Sequence, residues 1–174
     1  MNAERITRFS PCRLYRYTLW REWTGLDLLG SFGQRDPITA RRYLAVIGLN
    51  PSTADETRDD PTIRRCIGLA KRWGFGALCM LNLFAWRDTK PAGMKAAAFP
   101  VGGDNDMWLR DCAGEAGMIL AAWGAHGSFL DRGKTVAGDM KASGKSVYAL
   151  RLNKDGSPMH PLYVAADTQP ILFA

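Results

Sequence analysis

The chain has 174 residues, 47% of them hydrophobic and 23% charged. That is enough for one globular domain, spanning 1–174, whose core needs neither metal nor disulfide support. Lys and Arg outnumber Asp and Glu by 23 to 17, for a net charge of +6; the surplus suits an anionic partner such as nucleic acid, and equally suits plain solubility charge.

The N-terminal stretch Met1–Pro11 is polar and charged, unlike a secretory leader. No apolar run approaches membrane-spanning length, so a cytoplasmic protein is expected. Cys12–Trp23 reads CRLYRYTLWREW, and its partial alternation predicts an edge strand with core aromatics and exposed arginines. Within it, the basic, aromatic stretch Arg13–Trp23 would also suit tracking phosphates and stacking bases. A turn region is expected over Thr24–Asp36.

Tyr43–Ile47 (YLAVI) is a continuous apolar run, as expected of a strand covered on both faces. Asp60 suits a helix N-cap and Pro61 the first helical position, where its missing N–H costs nothing. Ile63, Cys66, Ile67, Ala70 and Trp73 then recur at helical spacing, and Gly74 ends the helix. Ala77–Leu83 predicts a second buried strand with one polar residue, Asn82. Asp104–Gly114 predicts a helix, Met118–Trp123 a third strand, Phe129–Ala142 a helix and Val147–Leu152 a fourth strand.

That alternation implies an α/β fold: three αβα layers around a central, mostly parallel four-stranded sheet with right-handed crossovers, plus the N-terminal edge strand. Ligands collect beyond the carboxyl ends of such strands. Here those ends are Gly48–Asp55, Asn82–Arg87, Gly124–Ser128 and Asn153–His160, where most of the unusual polar residues fall.

The four cysteines, Cys12, Cys66, Cys79 and Cys112, have no CxxC spacing, and the chain has 2 histidines. Zinc and iron–sulfur sites are therefore not expected, and Cys66 and Cys79 read as buried free thiols in a reducing compartment. No cofactor, membrane or obligate protein partner is inferred.

Gly48–Asp55 (GLNPSTAD) offers a tight turn in which Gly48 and Pro51 let a ligand approach the backbone. Asn50 and Ser52 offer polar contacts, while the bland alternative is a turn with an Asx cap. Asn82, a carboxamide in a buried strand, must be hydrogen-bonded. It either reads the donor–acceptor edge of a pyrimidine-like ring or ties down a neighbouring loop. His160, between prolines, suits donation to negative charge developing on a base oxygen or phosphate, with His126 beyond Gly124 as its competitor. Within the acidic run Asp55, Glu56, Asp59 and Asp60, Asp60 is assigned to capping and Asp55 is the general-base candidate.

Four segments, in order, resemble motifs of the uracil-DNA glycosylase superfamily. Gly48-Leu49-Asn50-Pro51 resembles its first motif in the Asn form of the mismatch-specific branch. Met80-Leu81-Asn82-Leu83 resembles the strand whose Asn reads the uracil edge. Ala122-Trp123-Gly124-Ala125 resembles the strand-end segment before the last helix, and Ser157–Leu162 loosely resembles the His–Pro loop that contacts the base oxygen and the minor groove. The resemblance covers about Tyr43 to Leu162.

Several departures accompany it. Asn50 stands where the main branch has a water-activating Asp, and Ser52 where that branch has a tyrosine that excludes thymine. No counterpart of the base-stacking phenylalanine is found. The wording LNPSTAD, DDPTIRRC and NLFAWR resembles a bacterial and phage family of uncharacterised function more closely.

The resemblance implies a glycosylase-like enzyme acting on a base in DNA or on a nucleotide, by removal or modification. Asn50, Asp55 and His160 are its catalytic candidates. Gly48, Pro51, Ser52, Asn82, Gly124 and His126 are expected to contact substrate. The alternatives are a non-catalytic nucleic-acid or nucleotide-binding module on the same fold, and an unrelated small-metabolite enzyme.

Overall fold

The computed structural model describes residues 4–23 and 43–174. It is a mixed α/β structure built on one seven-stranded sheet. The strands are β1 (Glu4–Phe9), β2 (Arg16–Glu22), β3 (Tyr43–Gly48), β4 (Ala77–Asn82), β5 (Met118–Ala121), β6 (Val147–Ala149) and β7 (Ile171–Leu172). Their order across the sheet is β1-β2-β4-β3-β5-β6-β7. The adjacent strands β4, β3, β5 and β6 pair in parallel, while β1, β2 and β7 join antiparallel.

The helices are α1 (Pro61–Arg72), α2 (Pro91–Ala96), α3 (Asn105–Gly114) and α4 (Arg132–Ala142). They cover both faces of the sheet, because each buried strand presents alternate residues to opposite sides. Leu44, Val46, Leu78 and Met80 pack with Ile63, Cys66, Leu69 and Ala70 of α1. Ala45, Ile47, Cys79 and Leu81 pack with Leu109, Cys112, Val136 and Met140 of α3 and α4. Burial raises the Cys66 thiol to about 12 and lifts Cys79 well above the ordinary thiol value.

Helix α1 starts and stops for the reasons its sequence suggests. The Asp60 carboxylate accepts from the Ile63 N–H at 2.9 Å, Pro61 opens the first turn, and Gly74 takes φ +81° just beyond the end.

The N-terminal strand departs from expectation. β2 is not an edge, because the charged strand β1 pairs on its outer side. Nor are its arginines exposed: Arg16 and Arg21 are 2% and 0% exposed. Their guanidiniums turn inward and hold the loop between β3 and α1. Arg21 pairs with Asp59 at 2.7 Å and donates to the Asp55 carbonyl at 2.6 Å, and Arg16 donates to the Ala54 carbonyl at 2.7 Å.

Other boundaries move as well. The strands expected over Met118–Trp123 and Val147–Leu152 end at Ala121 and Ala149. The helix expected from Phe129 begins at Arg132, because Leu130 and Asp131 take left-handed backbone and break the path before it. α2 and β7 went unpredicted. The turn region expected over Thr24–Asp36 lies outside the described residues. No described helix is long and apolar enough to cross a membrane.

Candidate functional site

Beyond the carboxyl ends of the parallel strands lies a cavity of about 580 Å³. The segment after β3 contributes Gly48, Asn50 and Ser52 to its wall. β4 and the turn after it contribute Asn82 and Asp88; the chain after β5 contributes Gly124 and His126; and Asn153 and His160 follow β6. The start of α1, at Asp60, Thr62 and Ile63, and Arg16 of β2 also line it, as do the aromatic residues Trp123 and Tyr163.

Asn82 is 1% exposed, and neither its Nδ2 nor its Oδ1 has a hydrogen-bond partner. A buried carboxamide with both ends unused carries a desolvation cost of about 1–3 kcal/mol for each unmet group. Its backbone, by contrast, is firmly held. Asn105 Nδ2 donates to the Asn82 carbonyl at 3.0 Å and the Leu83 carbonyl at 3.1 Å, and Arg132 Nε donates to the Leu83 carbonyl at 3.1 Å. Arg132 in turn pairs with Asp106. The strand end is thus fixed from the α3/α4 side, while the Asn82 side chain faces the cavity without a protein partner. Asn105 and Arg132 escaped the sequence reading; the only cue is an amide and a guanidinium within otherwise core-facing helices.

Asn50 lines the cavity, but its Nδ2 is spent on the Asp88 carbonyl at 2.8 Å and the Pro51 carbonyl at 3.2 Å. Its Oδ1 is therefore what it offers a ligand: an acceptor only.

Asp55 does not reach the cavity wall. Its Oδ1 accepts from the Thr57 N–H, the Thr57 hydroxyl and the Arg58 N–H, forming an Asx turn whose backbone donors hold the carboxylate below its ordinary value. It builds the loop and is poorly suited to act as a base. Pro51 is buried behind the lining, its carbonyl accepting from the Asp88 N–H at 3.0 Å.

His160 Nδ1 accepts from the Leu162 N–H at 3.3 Å, so in the neutral ring the proton sits on Nε2. Burial lowers its pKa below the usual 6.5, and the nearby Asp60 carboxylate opposes that shift. His126, also on the wall, meets Lys95 Nζ through Nδ1 at 3.3 Å.

Three charged groups on the wall lie outside the set of residues expected to contact substrate. Asp60 is both N-cap and lining residue. Asp88 receives the Lys90 N–H at 2.8 Å and also lines the cavity. Arg16, read as an edge arginine, is the lining's only Lys or Arg among the described residues. Also among the described residues, no three His, Cys, Asp or Glu side chains are grouped so as to hold a metal ion.

Residues 16–162 match the family described as Protein of unknown function (DUF1643), and the chain belongs to it. No curated protein and no solved structure matches the chain.

Proposed function

We propose that the protein is a glycosylase-like enzyme that recognises a nucleobase, carried in DNA or on a nucleotide, and removes or modifies it. The observation that carries this reading is Asn82: a buried carboxamide with donor and acceptor both unused, on the wall of a cavity at the carboxyl ends of parallel strands. A carboxamide matches an adjacent N–H and C=O on a base edge with two hydrogen bonds. The ordered similarity of four segments to the uracil-DNA glycosylase superfamily supports the same assignment, with Asn82 as the base reader.

In this scheme the base edge lies on Asn82. Asn50 Oδ1 orients a water or a sugar hydroxyl, and His160 Nε2–H donates to the base oxygen. For hydrolysis, the water oxygen bonds to the sugar carbon, the carbon–nitrogen bond breaks, and its electron pair leaves with the base. His160 stabilises that charge as a neutral donor. With Asp55 committed to its turn, Asp60 and Asp88 are the carboxylates available on the wall to take the water's proton.

Asn50 lacks a carboxylate's basicity and Asp55 is committed to its own turn; both favour a second reading, a non-catalytic nucleotide- or nucleic-acid-binding module. One experiment separates the two: an assay for abasic sites and free base, using oligonucleotides and nucleotides carrying varied normal and modified bases. Base release that Asn82→Ala abolishes supports the enzyme. Binding without release supports the module.

A further inference from the structure

The cavity contains a charge that base recognition does not use. Opposite β1, β2 carries an irregularity. Arg8 pairs with Thr18 and Phe9 with Arg16, leaving Tyr17 without a partner. An extra residue of this kind resets the alternation of a strand. It brings Arg16 to the same side as Arg21, and both arginines reach the loop after β3. Arg21 finds a carboxylate there, Asp59. Arg16 does not: its guanidinium donates from Nη1 to the neutral Ala54 carbonyl, and its buried Nε has no partner.

Arg16 is 2% exposed, and burial lowers its pKa to about 10, so it stays charged near neutrality. Asp60 attracts it across the wall, but no described carboxylate comes within ion-pair distance, and one Asp60 oxygen already caps α1. A buried cation without a paired anion is costly, and an incoming anion would relieve that cost. With Nη1 held by Ala54, the edge left over is Nε with Nη2, the fork that grips a phosphate through two parallel hydrogen bonds.

We propose that Arg16 is the phosphate-binding residue of this cavity and that the ligand is a free nucleoside monophosphate, its base on Asn82 and its phosphate on Arg16. This rests on the base-reading role of Asn82. A volume of about 580 Å³ falls within the ordinary range for a small-molecule site. The lining argues against a nucleic-acid strand, because tracking a polymer takes several Lys or Arg contacts. Among the described residues, a single guanidinium shares the wall with two carboxylates, Asp60 and Asp88.

The test is calorimetric titration of the full chain with inorganic phosphate, the common nucleosides, their 5′-monophosphates and a single-stranded oligonucleotide. At least one monophosphate is expected to bind about tenfold or more tighter than its nucleoside, the worth of a charge-assisted pair. Arg16→Gln should bring that monophosphate down to the level of the nucleoside without weakening the nucleoside. The wild-type comparison stands even if Arg16→Gln fails to fold, and Arg16→Lys, which keeps charge but loses the fork, should retain only part of the gain.

Equal affinity for nucleoside and monophosphate overturns the role of Arg16 and leaves base reading intact. Binding of phosphate and of every monophosphate alike, unaffected by Asn82→Ala, overturns base reading and with it the nucleotide assignment, while leaving Arg16 as an anion site. Tighter binding of the oligonucleotide than of any monophosphate overturns the free-nucleotide assignment. Failure of all these ligands to bind overturns the proposal as a whole.

Discussion

Gly48 and Asn82 are register partners at the ends of β3 and β4, and a Cβ at Gly48 would stand 3.1 Å from Asn82 Oδ1 and 2.7 Å from Met80 Cε. The hydrogen at position 48 is what leaves room for the unpartnered amide. Met80 ends in a flexible methyl and can yield, so the added carbon bears chiefly on Asn82.

Gly48→Ala is therefore expected to cost about 1–3 kcal/mol of stability and to weaken ligand binding by more than the stability loss explains. Thermal melts paired with ligand titration check this. Unchanged binding in a folded variant would mean that the Asn82 amide is not where the ligand sits.

Asn82→Ala and Asn105→Ala should behave oppositely although both residues are buried. Asn82 has no side-chain partner to lose, and its unmet groups carry a desolvation cost, so its removal should leave stability unchanged or raise it while abolishing recognition. Asn105 holds two backbone carbonyls, and losing it should cost about 1–3 kcal/mol. Denaturant melts of both variants decide the matter. A large stability loss for Asn82→Ala with unchanged ligand affinity would make Asn82 a structural residue.

Removing Arg21 should loosen the loop between β3 and α1. Its guanidinium holds the Asp59 carboxylate and the Asp55 carbonyl; Asp59 keeps a second partner in Arg5, so losing these contacts should cost about 1–3 kcal/mol. Arg21→Met keeps most of the volume, so a loss in this range measures the polar contacts. Protease cleavage within Gly48–Asp60 should accelerate in the same variant, and an unchanged rate would show that the loop is held elsewhere.

The continuous apolar runs at Tyr43–Ile47 and Ala77–Leu83 were legible because a strand covered on both faces has little room for polar residues, which also makes Asn82 conspicuous. The capped start of α1 was legible because Asp60-Pro61 encodes it locally. What could not be read depends on partners remote in sequence. β1 reads ERITRF, too charged to signal a strand until β2 is seen beside it. Arg16 and Arg21 looked like solvent-facing charges because their acceptors, at Ala54, Asp55 and Asp59, lie 34 to 38 residues away. Asp55 looked available because the sequence does not reveal that its own turn consumes its oxygen.

The last prediction concerns pH. His160 Nδ1 accepts a backbone N–H, an arrangement open only to the neutral ring, since a protonated Nδ1 would point its own hydrogen at that of Leu162. Burial lowers the pKa from its usual 6.5, with Asp60 pulling in the other direction. The folded state therefore binds this proton less readily than the unfolded chain does. The stabilising contribution is complete above about pH 6.5 and is lost as pH falls from there through the lower folded value. Melting temperature should thus drop on acidification below about pH 6.5, and His160→Gln should remove that component of the drop. A ring-proton titration by NMR measures the same quantity directly. A midpoint above 6.5 for His160 would mean that the charged form is the favoured one, and would end its role as a neutral donor to the departing base.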